Sequence, residues 1–221
     1  MEEDLVKKVS GGKASVLRVG GVEERHNGFY APATISLVRR MNPDGYPLSY
    51  SLVDAGGFGR EEGKNIRILL CLEGFREEDI DGIMVTHNHP DHIGNIGSFE
   101  KAKVIMPDSD FMVGESNLFH FDNEADFFEN PGNKKRVYPQ TVMVSTPGHS
   151  GWDASYVFEG EGRIAMVGDL FWSQEDWEED SQFMDLCVNL DMQKRSRDYV
   201  REELKPEVVI PGHGPAFAPQ Y

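Results

Sequence analysis

With 39% hydrophobic and 27% charged side chains over 221 residues, the chain can bury one sizeable core and is too apolar to be disordered. Its 38 acidic against 22 basic residues leave a net charge of −16. That charge works against binding to nucleic acid or an anionic membrane unless a local basic patch overrides it, and the densest basic run is only Asn133 to Arg136.

No linker-like stretch divides the sequence, so one domain over residues 1–221 is expected. Apolar runs such as IRILLCL are too short to cross a bilayer. The start, MEEDLVKKVS, puts acids first and has no apolar signal-peptide segment. The expected location is therefore cytoplasmic, and Cys71 and Cys187 are read as buried or half-buried free thiols.

In chain order, ASVLRVG and ATISLVRR read as paired strands joined by GVEERHNGFYAP. YSLVDAGG is a third strand ending at Asp54. Residues 61–75 carry apolar side chains at Ile66, Leu69, Leu70 and Leu72, a helical spacing. A fully apolar strand follows over Gly82 to Thr86, then a short helix starting near Asp91, then the strand AKVIMP. Residues 108–135 mix aromatics and acids and read as a helix plus a mobile loop. TVMVSTPGH, ASYVFEG, RIAMVGD and EVVIPGHG are four further strands, with a helix over 191–204 before the last. Alternating strands and helices predict an α/β sandwich, two sheets inside and helices outside.

Five of the seven histidines, with two aspartates, fall at strand ends: His87, His89, Asp91, His92, His149, Asp169 and His213. Imidazoles and carboxylates together are the donor mix of zinc, iron or manganese. One polar residue at a strand end is usually an ordinary loop residue. Four separate segments doing the same thing, each among glycines or prolines, argue for ligands.

The motif THNHPDH, followed in order by TPGHS, GDL and PGHGP and preceded by LVDAGG, resembles the metallo-β-lactamase superfamily, whose pattern is HxHxDH followed by His, Asp and His. The likeness covers nearly the whole chain. It implies the four-layer αββα sandwich. It implies two divalent metal ions, zinc first and iron or manganese as alternatives. His87, His89 and His149 would hold one and Asp91, His92 and His213 the other. Asp169 would bridge them, with Asp54 behind as an orienting carboxylate. The stretches GDLFWSQEDWEED, QKRSRDYV and VIPGHGPAF are similar to a narrower group, the metallo-β-lactamase domain-containing protein 1 group and its small prokaryotic relatives.

The expected activity is a binuclear metal-dependent hydrolase. A hydroxide shared by the metals attacks an ester, thioester, lactone or similar small substrate, with Asp91 and Asp169 catalytic. The alternative is a ribonuclease or phosphodiesterase of the same fold, which the net charge disfavours because nucleic-acid affinity rests on Lys/Arg–phosphate contacts. A redox diiron role is disfavoured because the flavodiiron-type members carry an acid where His89 stands. A glutathione-thioester hydrolase would need a basic C-terminal segment that the sequence lacks, and a cytoplasmic location does not suit a β-lactamase. A non-enzymatic module would need a closed metal site.

Around the centre, His26, Phe29 and Tyr30 are equally substrate contacts or surface residues. Trp152, Phe171 and Trp172 are read as core first, with an apolar wall, through Trp152 and Trp172, as the alternative. Phe119, His120, Phe121, Phe127 and Phe128 are read first as packing, with a lid or a homodimer contact as alternatives. His120 is not read as a ligand. The expected partner is a small-molecule substrate, and no membrane is involved.

Overall fold

The computed structural model describes residues 14–26, 28–41, 47–57, 60–107, 124–160, 162–179 and 182–221. The chain forms β1 (Ala14–Arg18), β2 (Glu23–Arg25), β3 (Gly28–Tyr30), β4 (Ile35–Met41), β5 (Pro47–Val53), α1 (Arg60–Leu72), β6 (Ile80–Met84), α2 (Pro90–Ile93) and β7 (Lys103–Ile105). It continues with α3 (Glu124–Phe128), β8 (Lys134–Tyr138), β9 (Thr141–Ser145), β10 (Ala154–Gly160), β11 (Gly162–Gly168), α4 (Gln174–Glu178), α5 (Leu190–Asp198) and β12 (Val208–Pro211). A π-helical stretch, Tyr199–Leu204, prolongs α5.

Two five-stranded sheets face each other, in the orders β1-β4-β5-β6-β7 and β12-β11-β10-β9-β8. In the first, β1, β4 and β5 are antiparallel neighbours, and β6 and β7 add in parallel. In the second, β8 to β11 run as an antiparallel meander and β12 joins β11 in parallel.

Alternation along each strand sorts the side chains into three apolar layers. On β10, Tyr156 and Phe158 face the space between the sheets, beside Val38, Val53, Met84, Met143, Met166 and Ile210. Val157 points the other way, toward Val144, Val167, Val200 and Leu204. On the far side of the first sheet, Leu37, Leu52 and Ile83 pack against Ile66 and Leu70 of α1. Helix, sheet, sheet, helix is the four-layer sandwich read from the sequence.

Several boundaries differ from expectation. The loop after β1 holds the small β2–β3 hairpin. Residues 134–138 form an edge strand. Lys134 and Arg136 are exposed on it, charges of the kind by which sheet edges avoid pairing with another chain, and the run of basic residues masks the strand in the sequence. The helix over 191–204 changes from α to π at Tyr199. Cys71 is exposed and Cys187 half-buried, and both are free. Cys71 therefore corrects the reading of two buried thiols: it sits in the last turn of α1, which also leaves Leu72 exposed. Phe127 and Phe128 are packing residues against the inter-sheet layer, whereas Phe119, His120 and Phe121 lie outside the described residues. No helix among the described residues is long and apolar enough to cross a membrane.

Candidate functional site

Four strands deliver the seven candidate ligands from their C-terminal ends, where open α/β sheets carry their sites. β6 leads through Val85 and Thr86 to His87. β9 leads through Thr-Pro-Gly to His149, β11 ends immediately before Asp169, and β12 is followed by Gly212 and His213. Pro90 is itself the first residue of α2, with His89 as the preceding cap, so Asp91 and His92 lie within that turn. Proline suits this position because its missing N–H would be unpaired there in any case.

The side chains gather into two groups. His87, His89, His149 and Asp169 form one, and Asp91, His92 and His213 the other; within each group one potential ligand atom per residue lies within 4.8 Å of every other. Asp169 stands between them. Its Oδ1 is 3.1 Å from His92 Nε2 and 3.2 Å from His213 Nε2. Its Oδ2 is 3.3 Å from His149 Nε2 and 3.9 Å from His87 Nε2. Asp91 Oδ2 lies 3.4 Å from His92 Nε2 and 3.5 Å from His213 Nε2.

For three of the rings a contact on the far side fixes which nitrogen faces inward, whereas His89 turns Nδ1 toward His149 Nε2 at 3.0 Å. His213 Nδ1 donates to the Pro32 carbonyl at 3.1 Å, and His92 Nδ1 donates to Asp54 Oδ2 at 2.8 Å. Thr86 Oγ1 donates to Asp54 at 3.0 Å and so accepts from His87 Nδ1 at 3.1 Å. Each of these contacts turns Nε2 to the inner side, the nitrogen through which the ring would hold a metal. Asp54 also accepts the Thr86 backbone N–H at 2.8 Å. It adopts φ 60°, unusual for a residue with a Cβ, and these three contacts to Thr86 and His92 hold it there. Gly168, at φ 53°, is required because a Cβ would meet Thr86 Oγ1 at 2.5 Å.

His87 Nε2, His92 Nε2 and Asp169 Oδ1 are buried and make no hydrogen bond among the described residues. A buried polar atom left unpaired costs about 1–3 kcal/mol. Several of them converging on the same space is the state of a ligand set, so the residues fit divalent metal ions. The charge distribution agrees. Burial, reinforced by neighbouring His92, holds His87 well below the ordinary imidazole range, and burial lowers His149 to about 4. Burial pulls His92 down as well, but Asp169 and Asp54 outweigh it and hold this ring well above its usual value. His213 is likewise raised against burial by Asp169. Burial would raise Asp169, yet His213 and His92 keep it well below the usual carboxylate range.

A cavity of about 620 Å³ opens over the centre, lined by candidate ligands together with Tyr30, Pro32, Trp172 and Leu186. Among the described residues, the lining contains no lysine or arginine. Trp172 stacks on Phe183 with ring centroids 4.2 Å apart and lies 4.4 Å from the His213 ring. Tyr30 is 39% exposed at the rim. Trp152 is not among the lining residues; it packs over the inter-sheet layer and stacks on Phe128. His26 is exposed in the β2–β3 turn and also away from the cavity lining. Leu186 and Pro32 escape sequence reasoning because they belong to no motif.

The profile of the metallo-beta-lactamase superfamily matches residues 49–213. The chain belongs to this superfamily. Its metallo-β-lactamase relatives include the human metallo-beta-lactamase domain-containing protein 1, 34% identical over 75% of this chain and 58% of that protein. The rat protein of the same name is 32% identical over 75% of this chain and 62% of its own length. The chain thus spans about three fifths of these relatives. An N-acyl homoserine lactonase of Bacillus cereus is 27% identical over 69% of this chain and 63% of its own length. Among solved metallo-β-lactamase structures, an AiiA variant of B. thuringiensis with N-decanoyl-L-homoserine bound at its active site superposes with a TM-score of 0.67. It covers 91% of this chain and 92% of its own at 18% identity. A metallo-beta-lactamase of Thermotoga maritima superposes at 0.66, covering 94% and 99% at 15% identity.

Asp54→Asn is expected to weaken metal binding about 10–100-fold, the usual cost of losing an outer carboxylate behind a histidine. Competition with a chromogenic chelator checks this, with unchanged affinity as the contradicting result.

Proposed function

We propose that the chain is a binuclear metal-dependent hydrolase of neutral carboxylic esters, thioesters or lactones. His87, His89, His149 and Asp169 hold one ion. Asp91, His92 and His213 hold the other with Asp169, in the bridging role. The observation that carries this is the position of Asp169 between the groups: Oδ1 lies near His92 and His213, and Oδ2 lies near His149 and His87 while also 3.3 Å from His213 Nε2. Zinc suits this donor set, and iron or manganese would also accept it.

When bound, a metal pair lowers the pKa of water toward neutrality and polarises the oxygen under attack. The chain's own residues do the rest. Asp91, whose side chain is 32% exposed beside the cavity, takes the proton of the attacking water. It returns that proton to the leaving oxygen or sulfur as the acyl bond breaks. Asp54 and the Pro32 carbonyl keep the imidazoles from rotating. Trp172, backed by Phe183, and Leu186 offer an apolar face to the substrate body, and Tyr30 stands at the rim.

The described lining, mainly apolar apart from the candidate ligands, supports a substrate neutral away from the reacting group. The likeness to N-acyl homoserine lactonases supports an acyl compound. Phosphodiester cleavage by the same residues is the competing activity, and it lacks the basic contacts that RNA requires.

The test is a hydrolysis screen of metal-loaded protein on p-nitrophenyl esters, thioesters, lactones and bis(p-nitrophenyl) phosphate. Acyl hydrolysis lost on chelation and restored by zinc is expected. Turnover of the phosphodiester alone, with salt-sensitive RNA binding, would favour the nuclease.

Metal uptake is also expected to release protons at pH 7. Asp169 and Asp54 favour the protonated form of His92, and Asp169 that of His213, so ligation at these rings competes with protons. Affinity should therefore fall as pH is lowered. Calorimetric titration in two buffers of different ionisation enthalpy measures the release, and buffer-independent heats would contradict it.

A further inference from the structure

The loops that carry His149 and Asp169 arise from different strands, yet both are tied to one short segment, residues 188–196. Val188 N donates to the His149 carbonyl at 3.1 Å, and Asn189 N donates to the Gly148 carbonyl at 3.0 Å. Ser196 Oγ donates to the Pro147 carbonyl at 2.6 Å. Asn189 then caps α5, its side chain accepting from Met192 N at 3.1 Å.

From that helix, Gln193 reaches the other loop. Its Nε2 donates to the Asp169 carbonyl at 3.3 Å and to the Leu170 carbonyl at 3.2 Å. Two carbonyls can only accept, so the amide has one workable orientation. Gln193 is 2% exposed and Ser196 fully buried. The backbone of Gln193 also seats the His149 loop directly. Gly148 has φ 142°, and a Cβ there would lie 2.3 Å from Gln193 N and 2.4 Å from its Cα. One residue thus touches the His149 loop with its main chain and the Asp169 loop with its side chain. On its other side the His149 loop is braced by buried Asp153, which accepts Gly148 N at 2.9 Å and Ser150 N at 2.8 Å.

We propose that the start of α5 is a splint that sets the spacing between His149 and Asp169, with Gln193 as the positioning residue that joins their loops. This rests on the reading above that both residues hold metal. A metal centre needs its donors placed within a few tenths of an ångström. Loops leaving separate strands do not supply that tolerance by themselves, whereas a buried amide spanning both does.

The probe is Co²⁺ added to metal-free protein, read by its visible absorption spectrum and by chelator competition, with thermal unfolding in parallel. Gln193→Met keeps the volume and removes both donors. It is expected to weaken Co²⁺ binding about tenfold or more and to alter the spectrum. Lys194→Ala, an exposed substitution on the same helix, should leave affinity and spectrum unchanged. If Gln193→Met does not fold, Gln193→Asn, which keeps the amide but draws it back by one methylene, takes its place with the same expectation. A folded Gln193 variant with wild-type Co²⁺ affinity and spectrum overturns the inference while leaving the metal centre standing. A wild-type protein that takes up no Co²⁺ overturns the underlying reading and the inference with it.

Discussion

Asp169→Ala is expected to remove bound metal and hydrolysis together. Asp169 is the one side chain whose two oxygens approach both groups of candidate ligands. Without it, His92 and His213 on one side and His149 and His87 on the other lose the anion that holds them in register. The positive charges gathered at the centre then lose the carboxylate closest to them, with Asp91 and Asp54 left nearby. Metal catalysis of hydrolysis supplies several kcal/mol of transition-state stabilisation. A loss of about 4 kcal/mol is roughly a thousandfold in kcat, at 1.36 kcal/mol per tenfold. Elemental analysis and steady-state kinetics on the same preparation check the two effects. Retention of two metals per chain by the alanine variant would refute the bridging role.

Asp176→Ala is expected to cost the most in stability. Asp176 and Arg197 are both almost wholly buried, paired at 2.7 Å. The pair reaches back to the site: Asp176 Oδ2 accepts Trp172 N at 2.9 Å, and the Arg197 guanidinium lies 4.7 Å from the Phe171 ring centroid. Removing the acid leaves a buried guanidinium without its counter-charge. Breaking such a pair costs about 3–5 kcal/mol. For a chain of this size that is a fall in Tm of roughly 6–20 °C. Because Trp172 faces the cavity, KM should rise in the same variant. The double substitution Asp176→Leu with Arg197→Met, which leaves no charge to bury, should recover much of the loss. A single variant as stable as wild type would show that the pair contributes nothing to the fold.

The residues that were legible in the sequence share one property: each sits next to a strand that its own composition reveals. Apolar runs ending in His or Asp expose β6, β9, β11 and β12 and the candidate ligands beyond them. The Asp54 position follows from LVDAGG in the same way. The layers of the fold follow from alternation on those strands, and α1 from its 3.6-residue spacing.

What stayed hidden depends on contacts across the chain. β8 is disguised by the Lys and Arg that protect its edge. The β2–β3 hairpin is too short for its alternation to register. Thr86 looks like an ordinary strand-end threonine until the Asp54 carboxylate is beside it. Gln193 and Ser196 read as polar residues of a surface helix, yet both are buried because their partners are backbone carbonyls some 20 to 50 residues away in sequence. No local pattern encodes a hydrogen bond to a distant main chain. Trp172 was legible as core or wall; it is 8% exposed and also lines the cavity.

Crystals of the native protein, measured on both sides of the absorption edge of the metal found in it, give the most direct test of the binuclear centre. The account predicts two anomalous peaks about 3.5–4 Å apart, with Asp169 between them, His87, His89 and His149 around one and Asp91, His92 and His213 around the other. A single peak, or two peaks with Asp169 bound to neither, would contradict it.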